Sequence, residues 1–432
     1  MHAMRARPRA AVPAWLVLAL CTLFWLGATQ RSEAFLLNLG YQTLRLLENA
    51  DPISHDITLR LNPETKEAYF TDKFTIAAQK NIGDFYVLLG HDYVLERAGT
   101  VDGEVLSHRV YIQWASLPFT IYRINFAERV AAGEETTVVL EYRLGPDTVK
   151  TVSPFVTDDL FIAIVTMFWY PQMPGESFFE ATVHMEGPDD WVMIGEGEPL
   201  EGTNGRSWRT VAPVTGLNFV AGWFEPVEMS AESWRVVGWR APGWGRYLEE
   251  MMEHTVGAMR FYESLLGPLG LERLDVVSLP IYLGGSLSQF SGWMFDEYMT
   301  SYGIRDTALR AYMAGHEVAH KWVGYRVGFE VLGTTWLQEG LADYLAFLAV
   351  GDMLGAEAMR HVIMERSIKP VAEFDGRIRA LSAIEVLDSD REIAGPKGAL
   401  VLRALHRRLG DDVFYAGLRE FFSRYSFDHV NP

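Results

Sequence analysis

The chain has 432 residues, 49% of them hydrophobic and 13% aromatic. That is enough for two or three domains with sizeable cores, and too apolar for a disordered chain. The formal net charge is −18 and no long basic stripe is present, which argues against a nucleic-acid partner, since phosphate neutralisation needs a basic face.

Taken in order, the chain opens with Arg5, Arg7 and Arg9 ahead of an apolar run from Trp15 to Gly27. At about thirteen residues the run falls short of the roughly 20 that a spanning helix needs. Small residues follow at Gly27, Ala28 and Ala34. The pattern predicts an export signal over residues 1–34, with an uncleaved signal anchor as the alternative. The chain is then expected to be secreted, periplasmic or held at the outer face of a membrane through that segment. Cys21, the one cysteine, lies inside the run, so removal of the signal would leave no thiol for a disulfide, a metal or a nucleophile.

Residues 52–235 read as β structure. Ile57, Leu59 and Leu61 alternate with polar residues and end at the turn Asn62-Pro63-Glu64. Phe70, Phe74 and Ile76 mark a second stretch, and Val138, Leu140, Tyr142 and Leu144 alternate again after Gly133. Short β-rich runs at 178–185 and 217–224 continue the theme, which predicts a sandwich or saddle. Near Arg235 the texture changes. Residues 244–266 carry helical periodicity, 274–283 read as a strand, and at least four helical segments follow, so residues 236–432 are expected to form a second, α+β domain.

The chemistry concentrates in that second part. Residues 316–320 read His-Glu-Val-Ala-His, and two histidines at i and i+4 share one helix face, so both imidazoles can reach one ion. Asp306 is placed to cap this helix, Leu309, Met313, His316, His320 and Val323 form one stripe, and Gly324 fits its end. A zinc catalyst needs a third protein ligand and an open position. Glu339 supplies the ligand, within Thr335-Trp336-Leu337-Gln338-Glu339, where Thr335 and Gln338 have the form of a capping box that would start a second helix. Asp343, one turn on, is placed to accept the outer N–H of a ligand histidine. The expected centre is one zinc ion per chain on His316, His320 and Glu339, with Glu317 as general base.

His-Glu-x-x-His, eighteen residues, then Glu resembles the zinc signature of the aminopeptidase N family of gluzincins. HEVAHKWVG and WLQEGLADYLAFL are similar to that family's two metal-binding helices. Residues 397–422 are similar to a further helical block, HDITLRL from His55 to an opening β-strand, and GLNFVAGWFEPVE to the end of a β domain. The resemblance implies a multidomain fold: an N-terminal all-β saddle or sandwich followed by an α+β, thermolysin-like catalytic domain. It also implies a metallopeptidase acting on a peptide or protein, with Glu317 activating a zinc-bound water.

Three departures accompany the resemblance. Where the family carries Gly-x-Met-Glu-Asn, whose glutamate holds a substrate's α-amine, this chain has Gly284-Gly285-Ser286-Leu287-Ser288-Gln289-Phe290. Gly284, Gly285, Ser288 and Gln289 are the candidate substrate contacts there, and Asp296 or Glu297 just downstream is the alternative anchor. Where the family places an oxyanion-binding tyrosine before Glu-Lys-Gly, this chain has Gly395-Pro396-Lys397-Gly398, with Tyr298, Tyr302 and Tyr325 as possible replacements. The sequence ends at Pro432, where family members usually continue into a helical domain, so a short member and a fragment are both open. A zinc-binding pseudopeptidase, serving as peptide binder or scaffold, would explain the first two departures. Retention of Glu317 favours the enzyme, because a structural metal site has no need of a general base.

Overall fold

The computed structural model of the chain describes residues 46–113, 118–144, 159–175, 177–231, 234–281, 285–297, 306–329, 331–373 and 388–430, together with Leu44, Thr157, Thr300, Ser301 and Ile304. The expected signal over 1–34 with Cys21, and Gly284, Tyr298 and Tyr302, lie outside these residues.

Alternation builds the first half. In β1 (Ala50–Asn62), Ile57, Leu59 and Leu61 are buried while Arg60 and Asn62 face outward, because side chains on a strand point to opposite faces in turn. β2 (Glu67–Ala78) pairs antiparallel with β1, setting Leu59 opposite Phe70. β3 (Glu135–Leu144) pairs with β2 on its other side, and the Phe70 and Tyr142 rings stack with centroids 4.8 Å apart. β4 (Glu180–Glu186) runs parallel to β1. Among the described residues these four belong to one ten-stranded sheet, while β5 (Val192–Gly195) and β6 (Phe219–Gly222) belong to a three-stranded one. The buried faces share a core in which Phe70, Tyr93, Tyr142 and Trp169 pack together.

The second half is a mixed sheet with helices. β7 (Glu225–Ala231) and β8 (Trp234–Arg240) form an antiparallel pair, β8 pairs in parallel with β9 (Arg273–Leu279), and the short edge strand β10 (Ser286–Ser288) lies antiparallel to β11 (Gly292–Asp296), itself parallel to β9. A parallel pair needs a crossover, and α1 (Leu248–Leu266) supplies it between β8 and β9. The change of sheet therefore falls between Gly222 and Glu225, ahead of the boundary read at 235. The composition of β7 and β8 is as β-rich as what precedes them, and only their pairing with β9 assigns them to the second sheet.

Helices α2 (Thr307–Ala319), α3 (Val331–Leu354), α4 (Ala356–Ile363), α5 (Lys369–Glu373), α6 (Asp388–Leu409) and α7 (Asp411–Arg424) follow. Asp306 caps α2, its carboxylate accepting from the Leu309 N–H at 2.8 Å. α3 starts at Val331, so Thr335 lies inside the helix and is not its cap. The four-residue pattern carries no information on the residues before it, and Val331–Thr334 already hold helical backbone. Two glycines let α3 and α6 nearly touch. A Cβ on Gly398 would stand 2.2 Å from the Trp336 carbonyl, and one on Gly340 2.7 Å from the Gly398 Cα. The turn of α3 that carries Glu339 is thus fixed by backbone contact, with no side chain between.

A buried polar seam ties the two halves together. Glu196, 1% exposed at the end of β5, accepts the Phe290 N–H at 2.9 Å and the Ser291 N–H at 3.1 Å. Asn218, just before β6, donates to the Ser288 carbonyl at 3.2 Å, and its own carbonyl accepts from Gln289 Nε2 at 2.6 Å. From the second half Lys321 Nζ donates to the Gln289 and Gly292 carbonyls, each at 2.7 Å. Burial pulls the Lys321 ammonium down to about 7 against the opposing charge of Glu196. Burial likewise pushes the Glu196 carboxyl up, with its backbone donors and Lys321 opposing. The segment running from β10 to β11 is therefore held from both halves of the molecule. Glu196→Leu strips two buried N–H groups of their acceptor, at about 1–3 kcal/mol each. The expected result is a lowered melting temperature with loss of hydrogen-exchange protection at the 290 and 291 amides. Unchanged protection there would show that the seam does not support the segment.

Candidate metal centre

α2 carries His316, Glu317 and the adjoining His320, and α3 carries Glu339 and Asp343. The structure brings His316, His320 and Glu339 together, with one nitrogen or oxygen of each within 4.8 Å of the others. The two Nε2 atoms are 3.0 Å apart, and a Glu339 oxygen stands 3.4 Å from His316 Nε2 and 3.6 Å from His320 Nε2.

The outer ring nitrogens fix what the inner ones offer. His320 Nδ1 lies 2.9 Å from the Val323 carbonyl, which can only accept, so Nδ1 carries the proton and Nε2 presents a lone pair. His316 Nδ1 lies 2.8 Å from Asp343 Oδ1, with the same consequence. Two lone pairs and a carboxylate oxygen then converge with no donor of their own among them. A proton or a metal cation resolves that clash, and two imidazoles with one carboxylate suit a borderline-soft divalent ion. The chemistry of the donor set fits such an ion.

Without a metal the protons take its part. Burial pulls the His316 imidazole down, but the Asp343 and Glu339 carboxylates outweigh it and lift it well above its ordinary value. His320 is raised too, burial again being outweighed by Glu339. Burial pushes Glu339 up, yet the two histidines hold it well below the usual carboxylate range.

Glu317 is 5% exposed, and strand β10 grips it twice. Ser286 Oγ donates to its Oε1 at 2.6 Å, and Ser288 Oγ donates to its backbone carbonyl at 2.8 Å. Residues i and i+2 of a strand share a face, which is why both serines meet α2.

The comparisons agree with this geometry. Residues 250–432 match the model of the Peptidase family M1 domain. Aminopeptidase Ey of Gallus gallus is 26% identical over 287 residues, 58% of this chain and 29% of its own length. Aminopeptidase-like protein AC3.5 of Caenorhabditis elegans is 23% identical over 320 residues, 71% of this chain and 29% of its own length. Over residues 250–432 the chain is thus similar to the Peptidase family M1 domain. It spans under a third of the length of these curated relatives. An M1 zinc metallopeptidase from Deinococcus radiodurans has a similar fold, with a TM-score of 0.69 over 89% of both chains at 19% identity.

Against that family background, several expected contacts have other employment. Ser288 spends its hydroxyl on Glu317, and Gln289 is fully buried and turned toward Asn218, so it packs in the seam where a substrate contact was expected. The Gly285 carbonyl accepts the Asp296 N–H at 3.0 Å. Tyr325 donates to the Ser288 carbonyl at 2.5 Å. Glu297 accepts from the Arg246 N–H at 2.9 Å and from Ser278, and Asp296 is fully buried on β11. Ser286 and Tyr312, which donates to Asp343 at 2.5 Å, did not stand out in the sequence. The signals that mark them are a serine pair at period two and a tyrosine four residues before His316.

The raised histidines set a sign. A raised pKa keeps an imidazolium present above pH 6.5, and a metal needs the neutral ring. Ion uptake must therefore displace a proton at neutral pH, and affinity must weaken as pH falls. Titration with Zn2+ at pH 7 is expected to release about one proton per ion, read by calorimetry in buffers of different protonation enthalpy. Binding that releases none would contradict a site whose inner nitrogens are protonated until the ion arrives.

Proposed function

We propose that this chain is a zinc-dependent metallopeptidase that hydrolyses peptide bonds, with one zinc ion per chain on His316, His320 and Glu339. The observation that carries the reading is Glu317, held by Ser286 and set between the two ligand histidines on one helix. A bound zinc ion lowers the pKa of a water to about 7 and polarises a carbonyl. Glu317 takes the proton of the attacking water and returns it to the leaving amine as the carbon–nitrogen bond breaks. Asp343 and the Val323 carbonyl keep both ligand histidines in the tautomer that binds. A peptide substrate agrees with one relative of similar fold, a metallopeptidase mutant from Deinococcus radiodurans bound to a Tyr-ser-ala substrate. The proposal includes export through the N-terminal apolar run and two working units that meet at the seam.

The expected amine anchor and oxyanion tyrosine are proposed to be missing. Serines on β10 engage Glu317, Glu297 is committed to Arg246 and Ser278, and Gly395 offers no hydroxyl. A free α-amine is a cation that loses water on entering a closed site, and a neutral serine offsets little of that cost. Gly395 is also the observation that favours a zinc-binding pseudopeptidase as second reading.

Two measurements test the proposal. Glu317→Gln keeps the shape but cannot take a proton, so it is expected to retain zinc and to lose peptide cleavage by about 10²–10⁴-fold. Cleavage at the wild-type rate would remove Glu317 from the chemistry, and a wild type that binds zinc yet cleaves nothing from a peptide library would favour the pseudopeptidase. For matched N-acetylated and free-amine peptides, kcat/KM is expected to agree within roughly tenfold, about 1.4 kcal/mol. A larger loss on acetylation would reveal an amine anchor.

A further inference from the structure

We propose that Tyr312 is a positioning residue for the metal centre, acting through Asp343 on His316, and that Gly395 is what leaves Asp343 room to do so. The proposal rests on the zinc reading above, but not on peptide cleavage.

Tyr312 lies one turn before His316 on α2, so the two side chains share a face. Its hydroxyl donates to Asp343 Oδ1 at 2.5 Å, the same oxygen that faces His316 Nδ1 at 2.8 Å. Asp343 is 4% exposed, and a carboxylate buried that deeply needs donors in place of water. His316 supplies one and Tyr312 the second. Burial first, and then the charge of Asp343, push the Tyr312 phenol well above its ordinary pKa, so it remains a donor.

The tyrosine ring is itself held. It stacks on Phe347 of α3, with centroids 5.7 Å apart, and the Arg366 guanidinium stands 5.0 Å from its centroid. Arg366 comes from Met364–Ile368, a π-helical turn between α4 and α5.

The other carboxylate oxygen meets Gly395. A Cβ there would stand 3.0 Å from Asp343 Oδ2 and 3.1 Å from the Glu339 Cβ. A side chain at 395 would press on both, so the carboxylate that orients His316 or the turn that carries Glu339 would have to give by a few tenths of an ångström. Asp343 is thus set by a hydroxyl on one oxygen and by the absence of a side chain beside the other.

The alternative is a core tyrosine whose hydroxyl is merely satisfied. A double-mutant cycle on metal affinity separates the two. Full-length wild type, Tyr312→Phe, Asp343→Asn and the double variant are compared for Zn2+ affinity by competition with a chromogenic chelator. Visible spectra of the Co2+ forms are recorded alongside. Phenylalanine keeps the packing, and melting temperatures check the fold. Asp343→Asn is expected to weaken binding by about 10–100-fold. Tyr312→Phe is expected to weaken it by about three- to tenfold, with a changed Co2+ spectrum, and the double variant to bind no more weakly than Asp343→Asn alone. Gly395→Ala, which leaves every hydrogen-bonding group in place, is expected to weaken Zn2+ binding as well. Wild-type affinity in Tyr312→Phe, or losses that simply multiply in the double variant, would overturn the proposal. A wild type that binds no Zn2+ would overturn it together with the zinc reading. The expected affinity pattern in a chain that cleaves no peptide would support it while counting against the peptidase reading.

Discussion

Two imidazole nitrogens and a carboxylate oxygen face one another across 3.0–3.6 Å, a meeting that needs a proton or a cation between them. Left alone in a low-dielectric pocket, such a group would relax by turning its rings or drawing a side chain out to water. Neither escape is open here. Each ring is pinned from behind by an acceptor, Asp343 or the Val323 carbonyl. The rest of the second half serves to hold those pins. α2 is fixed at its start by Asp306, and α3 is pressed against α6 so closely that Gly340 and Gly398 leave no space for a side chain. Packing elsewhere holds the three groups together, and the raised histidines supply the proton that eases their meeting.

Glu317, the proposed base, is held by different means. Glu317 shares a helix with the ligands, but its carboxylate is steadied from a neighbouring sheet edge, through Ser286. That edge strand has three residues, too few to stand alone. Its position is set by β11 on one side and by the seam beyond it, where Glu196, Asn218 and Lys321 converge on the backbone of 288–292. His316, His320 and Glu339 thus belong to the helices, and Glu317 is shared between a helix and the edge strand β10.

What the sequence disclosed follows from distance along the chain. His316 and His320 are related by one helical turn, and Asp343 follows Glu339 by another, so their cooperation is written in local periodicity. The β-strands were legible for the same reason, since Ile57, Leu59 and Leu61 declare their face by alternation alone. Contacts made across the chain left no such mark. Ser286 meets Glu317 over 31 residues, and Glu196 meets Phe290 over 94. Neither spacing carries a period, and only strand register brings the partners together. The change of sheet between Gly222 and Glu225 left no mark for a related reason, because β7 and β8 resemble their predecessors and differ only in the strand they pair with. Tyr312 sat in plain view on the helix, but an aromatic at helical spacing reads as packing until its hydroxyl is found on Asp343.

The seam bears on how this protein can be divided. The stretch that matches the M1 domain begins at residue 250, and it includes His316, Glu317, His320 and Glu339. Glu196 and Asn218 lie upstream of it. A piece cut at that limit would keep those residues and lose the acceptor of two buried amides, along with the donor to the Ser288 carbonyl. Those backbone groups would have to find water, and the strand carrying Ser286 would follow them away from Glu317. The stretch that carries the signature therefore draws part of its support from outside itself. The β half acts as the fixed jaw against which strand β10 is set.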